Sequence, residues 1–274
     1  MKDELYHIQF PKLGISLNIN PTVFSIGNLN VKWYGLIIAA GFLLAFVYVM
    51  ARSKFWCIKK EKLYDIIFVS TILAIISARI YYVIFFPGNY YKLHPEKIFA
   101  ISEGGIAIYG AVIGGIFGTF VMCKITKQKF LPVLDLCCIG LTIGQCIGRW
   151  GNFTNQEAFG TATELPWGML SENTNAVAVH PCFLYESVGC FIIFLILHFL
   201  SKNLKQIPGA TFLLYTILYG ILRAGIEGLR TDSLVIPGSC LRVSQVLAIL
   251  LCGISSFLIF ALFYKHKYKI NNTK

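Results

Sequence analysis

The amino-acid sequence predicts an all-α polytopic membrane protein with seven transmembrane helices, the N-terminus outside and the C-terminus cytoplasmic. Three observations predict it. Of 274 residues, 56% are hydrophobic and only 14% charged, far from the balance of a soluble domain. Seven apolar stretches, at about 33–50, 63–86, 105–123, 133–148, 183–200, 211–228 and 243–264, approach the roughly 20 residues that a helix needs to cross a bilayer core about 30 Å thick. Basic residues gather after every second stretch, which is the third observation.

Taken in order, residues 1–30 open with MKDELYHIQFPKLG, whose charges interrupt the basic head and apolar core of a secretory leader. No cleavable leader is expected, and 1–30 reads as a surface segment outside the membrane. Arg52, Lys54, Lys59, Lys60 and Lys62 follow the first span; Lys124, Lys127 and Lys129 follow the third. Lys202 and Lys205 follow the fifth, and Lys265, Lys267, Lys269 and Lys274 the seventh. These segments hold 14 of the 24 basic residues, and positively charged loops stay cytoplasmic. The net charge of +11 therefore reads as topology and not as a nucleic-acid footprint. With no repeat and no low-complexity tract, the chain is expected to form a single membrane domain over 1–274, with 149–182 as its longest outer loop.

Nine cysteines and five histidines show neither CxxC pairs nor ligand-like spacing, so no metal and no cofactor is expected. Most of the cysteines lie in or beside spans, where a thiol acts as a small hydrophobe. The sequence leaves open whether Cys182 and Cys240, both near the outer face, pair.

Charged side chains inside apolar spans are costly and mark function by default. The predicted topology puts Arg79 in the outer half of span two, Arg149 at the outer end of span four with Glu157 beyond it, and Tyr185 and Glu186 near the outer start of span five. His180 precedes that span. Tyr219, Arg223, Glu227 and Arg230 recur at i, i+4, i+8 and i+11, an arc of roughly 80° on one face of span six at about 100° per residue. Polar groups confined to one half of the membrane do not make an ion path, which needs them through the midplane. A snorkelling arginine and an i,i+4 ion pair explain span six in isolation. Joined by Arg149 and Arg79, the cluster favours an anion site, since guanidinium binds phosphate bidentately and keeps its charge when desolvated. Glu157 and Glu227 are then expected to hold the arginines in place.

Glycines supply the frame. Gly110, Gly114 and Gly118, and Gly140, Gly144 and Gly148, repeat the spacing that lets transmembrane helices approach closely. Gly148, Gly151 and Gly160 lie among polar residues in GRWGNFTNQEAFG (148–160), where a re-entrant or tight loop is expected. Trp33, Tyr34 and Trp150 are expected at the outer interface, and Tyr34 and Tyr109 carry phenols able to donate to phosphate or to exchange a proton.

GRWGNFTNQEAFG resembles the signature of the bacterial prolipoprotein diacylglyceryl transferases, close to G-R-x-G-N-F-x-N-x-E-x-x-G, and matches every fixed position. VFSIGNLNVKWYGL (23–36), ARIYYVIF (78–85), GGIAIYGAVIGG (104–115), HPCFLYES (180–187) and LYGILRAGIEGLR (218–230) agree in order. The resemblance spans nearly the whole chain. It implies transfer of the diacylglyceryl group of phosphatidylglycerol to the lipobox cysteine of a prolipoprotein, with release of glycerol 1-phosphate, at the outer face of the bacterial cytoplasmic membrane. Its partners are then phosphatidylglycerol, the prolipoprotein signal peptide and the bilayer, with no nucleic acid.

Residue by residue, the resemblance points to Arg149, Asn152 and Glu157, to Tyr219, Arg223 and Glu227, and to Tyr34. Arg149 and Arg223 are expected to hold the phosphate and stabilise the departing glycerol phosphate, with Asn152 fixing the headgroup. Arg79, Arg230 and His180 are further binding candidates. One position departs: many members have GGxxxHG, and here Tyr109 stands in GGIAIYG. A thiol with a pKa near 8.5 is mostly protonated at neutral pH, and a phenol ionising at about pH 10 is a weak base unless nearby cations lower that value. Tyr109, Glu227, His180 and water all remain open as the proton acceptor. A transporter of lipids or anionic solutes is the competing class, but it calls for inverted repeats, interrupted helices and midplane charges, none of which the sequence suggests.

Overall fold

The computed structural model describes residues 5–27, 29–100, 104–236, 238 and 241–272. Among the described residues there are seven long helices: α1 (Trp33–Arg52), α2 (Lys60–Phe85), α4 (Ile108–Ile125), α5 (Phe130–Thr154), α6 (Cys182–Leu204), α7 (Ala210–Glu227) and α8 (Val243–Asn271). A single-turn helix, α3 (Tyr90–Leu93), lies between α2 and α4. All seven long helices are of a length and apolarity that cross a membrane. Apolar side chains on them stay open, among them Phe68, Phe199, Phe257 and Phe260, each more than 60% exposed; such surface is tolerated where lipid is the solvent.

The chain divides into two compact units, one of residues 1–49 and 137–274, the other of residues 50–136. In the first, α1 and α5 pack through small residues. A Cβ at Gly140 would run into Val49 and Ala45, one at Gly148 would come within 3.2 Å of Ile38, and one at Gly151 within 2.9 Å of the Tyr34 ring. Further contacts of this kind join α6 to α7 at Gly189 and Leu222, and α7 to α8 at Gly220 and Ala248. In the second unit, Gly110, Gly114 and Gly118 of α4 lie directly on Ser77, Leu73 and Ser70 of α2. Both glycine series therefore serve close helix approach, as their spacing predicts.

Short strands, which the sequence reading did not anticipate, occupy part of the N-terminal segment. β1 (Tyr6–Phe10) and β2 (Ile15–Ile19) form an antiparallel hairpin, and β5 (Leu170–Ser171) adds to the other side of β1. β3 (Thr22–Ile26) and β4 (Leu29–Lys32) form a second hairpin that runs into Trp33. The register sets Tyr6, Ile8 and Phe10 opposite Ile19, Leu17 and Ile15, one apolar face, while His7 and Gln9 meet Asn18 and Ser16 on the other. Period-two alternation of this kind is what a half-buried strand requires. Ile8 is fully buried and packs with Phe153, Met169, Val179 and Phe183, tying the hairpin to the ends of α5 and α6.

A second difference concerns 148–154. The expected loop is helical up to Thr154, and the chain turns only from Asn155. Gly148 and Gly151 face α1 and do not break the helix. The turn itself is strained: Gln156 and Ala158 adopt left-handed φ values of 51° and 59°, disfavoured for residues with a Cβ. Cys182 is buried and unpaired in the structure; Cys240 lies outside the described residues.

Candidate functional site

Three helices of the first unit meet at Glu186. It is 1% exposed and stands in the second turn of α6. Tyr219 and Arg223, one turn apart on α7, reach it together: the Tyr219 hydroxyl donates to Oε1 at 3.0 Å and Arg223 Nη1 to Oε2 at 3.1 Å. From α5, Arg149 Nη2 pairs with Oε1. Arg223 Nη2 also pairs with Glu227 Oε2, at 2.6 Å. Two arginines on separate helices thus share one buried carboxylate.

Exposure separates cations from anions. The side chains of Arg149 and Arg223 retain 21% and 18% of their accessible surface, those of Glu186 and Glu227 only 1% and 2%. The carboxylates are buried, and the guanidinium side chains that hold them stay partly accessible. Behind Tyr219, the Tyr215 ring stacks at 5.7 Å and its hydroxyl accepts from Gln145 at 3.0 Å. Among the described residues, Gln145 Oε1 at the back of this network is buried without a hydrogen-bond partner.

Asn152 lies one turn beyond Arg149. Its amide nitrogen donates to Glu157 Oε1 at 2.8 Å, and its oxygen faces Arg149 Nη1 at 3.4 Å. Glu157 therefore acts on Arg149 through Asn152; the acid in direct contact with Arg149 is Glu186. Tyr34 lies against Gly151 on the same end of α5. Gly160 is hemmed in: a Cβ there would come within 2.8 Å of His180 and 2.9 Å of Cys182 Sγ. Its N–H donates to the His180 carbonyl, and it bridges to Arg230. His180 Nδ1 lies 3.2 Å from the Tyr185 hydroxyl. Arg230 is engaged by Asp232 through Nε and Nη2, at 2.9 and 2.6 Å. Burial opposes ionisation of Asp232, but the hydrogen bonds and charge of Arg230 outweigh it and hold the carboxyl below its usual range.

The structure brings Arg149, Asn152, Glu157, Tyr219, Arg223 and Glu227 into one network, with Tyr34 beside it and His180 and Arg230 flanking Gly160. Arg79 and Tyr109 belong to the second unit. Arg79 departs from its expected role as a phosphate ligand. Its Nε donates to Ile98 O, Nη1 to Gly104 O and Gly105 O, and Nη2 to Lys97 O and Ala100 O. A planar fork with five N–H groups is thereby spent on the segment leading into α4, with Tyr91 5.5 Å under the guanidinium. Tyr109 sits in the first turn of α4, its ring 6.3 Å from that of Tyr81.

The residue that the sequence did not single out for the site is Glu186. Its signal was present, since an acid in an otherwise uncharged stretch of span calls for a partner, but contact across helices leaves no trace in spacing along one helix. Among the described residues, no group of three or more His, Cys, Asp and Glu side chains is arranged to hold a metal.

Comparison with known proteins gives the family. The family model described as prolipoprotein diacylglyceryl transferase matches residues 21–261. A phosphatidylglycerol–prolipoprotein diacylglyceryl transferase of Finegoldia magna is 45% identical over 233 residues, covering 84% of this chain and 92% of the relative. That of Clostridioides difficile is 40% identical over 227 residues, covering 83% and 89%, and that of Staphylococcus aureus 42% identical over 258 residues, covering 90% and 91%. With most of both chains aligned in each case and the signature arginine and asparagine joined in one buried network, the chain belongs to the prolipoprotein diacylglyceryl transferase family.

Proposed function

We propose that this protein transfers the diacylglyceryl group of phosphatidylglycerol to the lipobox cysteine of a prolipoprotein, the first step of lipoprotein maturation, at the outer face of the bacterial cytoplasmic membrane. One observation carries it: Arg149 and Arg223 converge on the buried Glu186 while their side chains keep 21% and 18% of their accessible surface. Two guanidiniums anchored from behind suit a phosphodiester, which accepts paired N–H donors through its non-bridging oxygens.

In this reaction the cysteine sulfur attacks the glycerol carbon bearing the phosphate oxygen. The S–C bond forms, the C–O bond breaks, and its electron pair leaves with glycerol 1-phosphate. Arg149 and Arg223 stabilise the charge that grows on the leaving phosphate, and they do so best when already oriented in poorly hydrated surroundings. Asn152, held by Glu157, orients the headgroup; Glu227 fixes the second edge of Arg223. Tyr34 and Tyr219 complete the binding surface, and His180 and Arg230 are assigned to substrate contact nearer the loop. Tyr109 as its phenolate, Glu227, His180 and water are the candidate acceptors for the thiol proton, and Arg79 is assigned to loop order. The distribution of lysine and arginine after spans one, three, five and seven supports an outward-facing site and an external N-terminus.

The test is transfer in vitro. Purified protein, labelled phosphatidylglycerol and a peptide bearing a lipobox should give a labelled thioether and free glycerol 1-phosphate. Movement of lipid between leaflets with no labelled peptide would establish a transporter instead.

A further inference from the structure

We propose that Glu186 is the positioning residue of the site, the group that sets the distance and orientation between the two arginines. This rests on the assignment of Arg149 and Arg223 to the phosphodiester. Left to themselves, two cations on neighbouring helices repel, strongly so where water is scarce. Glu186 turns that repulsion into a fixed geometry by offering one oxygen to each.

Several features of Glu186 suit this task and not a substrate contact. It is 1% exposed while the arginines it holds keep part of their edges open, so a ligand meets guanidinium and not carboxylate. The Tyr219 hydroxyl donates to Oε1, fixing the carboxylate plane. Glu186 lies near the N-terminus of α6, where the helix dipole favours an anion. Glu227, by contrast, touches only Arg223 among the two arginines and sits on the same helix, so it cannot set a distance between helices. Together the two acids balance the two arginines, which lets the cluster persist in the membrane before an anionic lipid arrives.

Substitution by glutamine keeps the size of Glu186 but replaces one oxygen with an NH2 group, which points donors at a guanidinium that also only donates. One arginine is then released. Aspartate keeps the charge and retracts it by one methylene, so it reaches less far toward both partners. Turnover per folded molecule is measured for Glu186→Gln and Glu186→Asp with labelled phosphatidylglycerol and a lipobox peptide, beside Arg149→Lys and Arg223→Lys. Folded protein is quantified by size exclusion in detergent.

For a group that pre-orients charge stabilisers, kcat of Glu186→Gln should fall by about 30-fold or more, while the KM for phosphatidylglycerol moves by less than about threefold. Glu186→Asp should be intermediate in kcat and should fold; it decides the matter if Glu186→Gln does not. A purely structural role predicts less folded protein with normal turnover per folded molecule, and that result overturns the proposal. So does a fall confined to KM. If the arginine variants are impaired while both Glu186 variants turn over normally, positioning by Glu186 fails and the phosphate assignment stands. If the arginine variants are themselves unimpaired, the phosphate assignment fails.

Discussion

Arg149 on α5 and Arg223 on α7 are held by opposite oxygens of one carboxylate, that of Glu186, which is almost wholly buried. The arrangement settles how two cations coexist at neighbouring helix ends. Desolvation of either ion alone would be prohibitive, whereas a compensated cluster is stable and still offers unspent donors. The chemistry assigned to the site depends on those donors.

Replacement of Arg149 or Arg223 by lysine keeps the charge and loses the fork. Lysine presents a compact ammonium that cannot both hold Glu186 and face a phosphate from a second edge. Each variant should fold and lose about 100-fold in turnover, the scale of removing one donor to a developing anion. Steady-state transfer assays on folded protein check this; near-normal rates count against it.

Gly160→Ala tests the turn that ends the signature. The added methyl would meet His180 and Cys182 Sγ at under 3 Å and force Gly160 away from the His180 carbonyl. A displacement of about 1 Å near a reacting centre is worth about 100-fold in rate, so activity should drop by that order even where the helices remain folded. Helical content by circular dichroism separates the two effects.

Arg79→Lys should weaken the fold and leave lipid affinity nearly unchanged. An ammonium has three donors at one point and cannot reach the carbonyls of Lys97, Ile98, Gly104 and Gly105, all of which Arg79 now serves. Loss of several part-buried hydrogen bonds at about 1 kcal/mol each should lower Tm in detergent and open the chain at Lys97 and Ile98 to limited proteolysis. A change confined to the KM for phosphatidylglycerol would return Arg79 to the list of phosphate ligands.

Tyr109→Phe and Tyr109→His address the thiol proton. With the Tyr109 phenolate as acceptor, Phe should lower kcat by about tenfold or more, and His should sustain turnover with its pH profile moved toward neutrality. An unimpaired Phe variant removes Tyr109 from proton transfer.

The spans were legible because lipid leaves few alternatives: a run of about 20 apolar residues has to be a helix. The polar face of α7 was legible too, since Tyr219, Arg223 and Glu227 recur at helical spacing. Three things were hidden, each for a physical reason. Gly148 and Gly151 looked like a turn beside Asn152, but both face α1, and glycine in a membrane helix serves close packing as readily as bending. Glu186 lay in plain view as a lone acid, yet its partners are 37 residues away both toward Arg149 and toward Arg223, and only the fold joins them. The hairpin of residues 6–19 was missed although Ile8, Phe10, Ile15 and Leu17 alternate with polar residues, because five-residue strands carry a weak signal beside seven apolar helices.

The central claim is that the phosphodiester of phosphatidylglycerol is received by Arg149 and Arg223 together. A structure of the protein with phosphatidylglycerol bound in a lipid environment tests it most directly. Non-bridging phosphate oxygens should lie at about 2.8 Å from N–H groups of both guanidiniums, with Glu186 still behind them; a headgroup seated elsewhere, both arginines engaged only by carboxylates, would contradict the account.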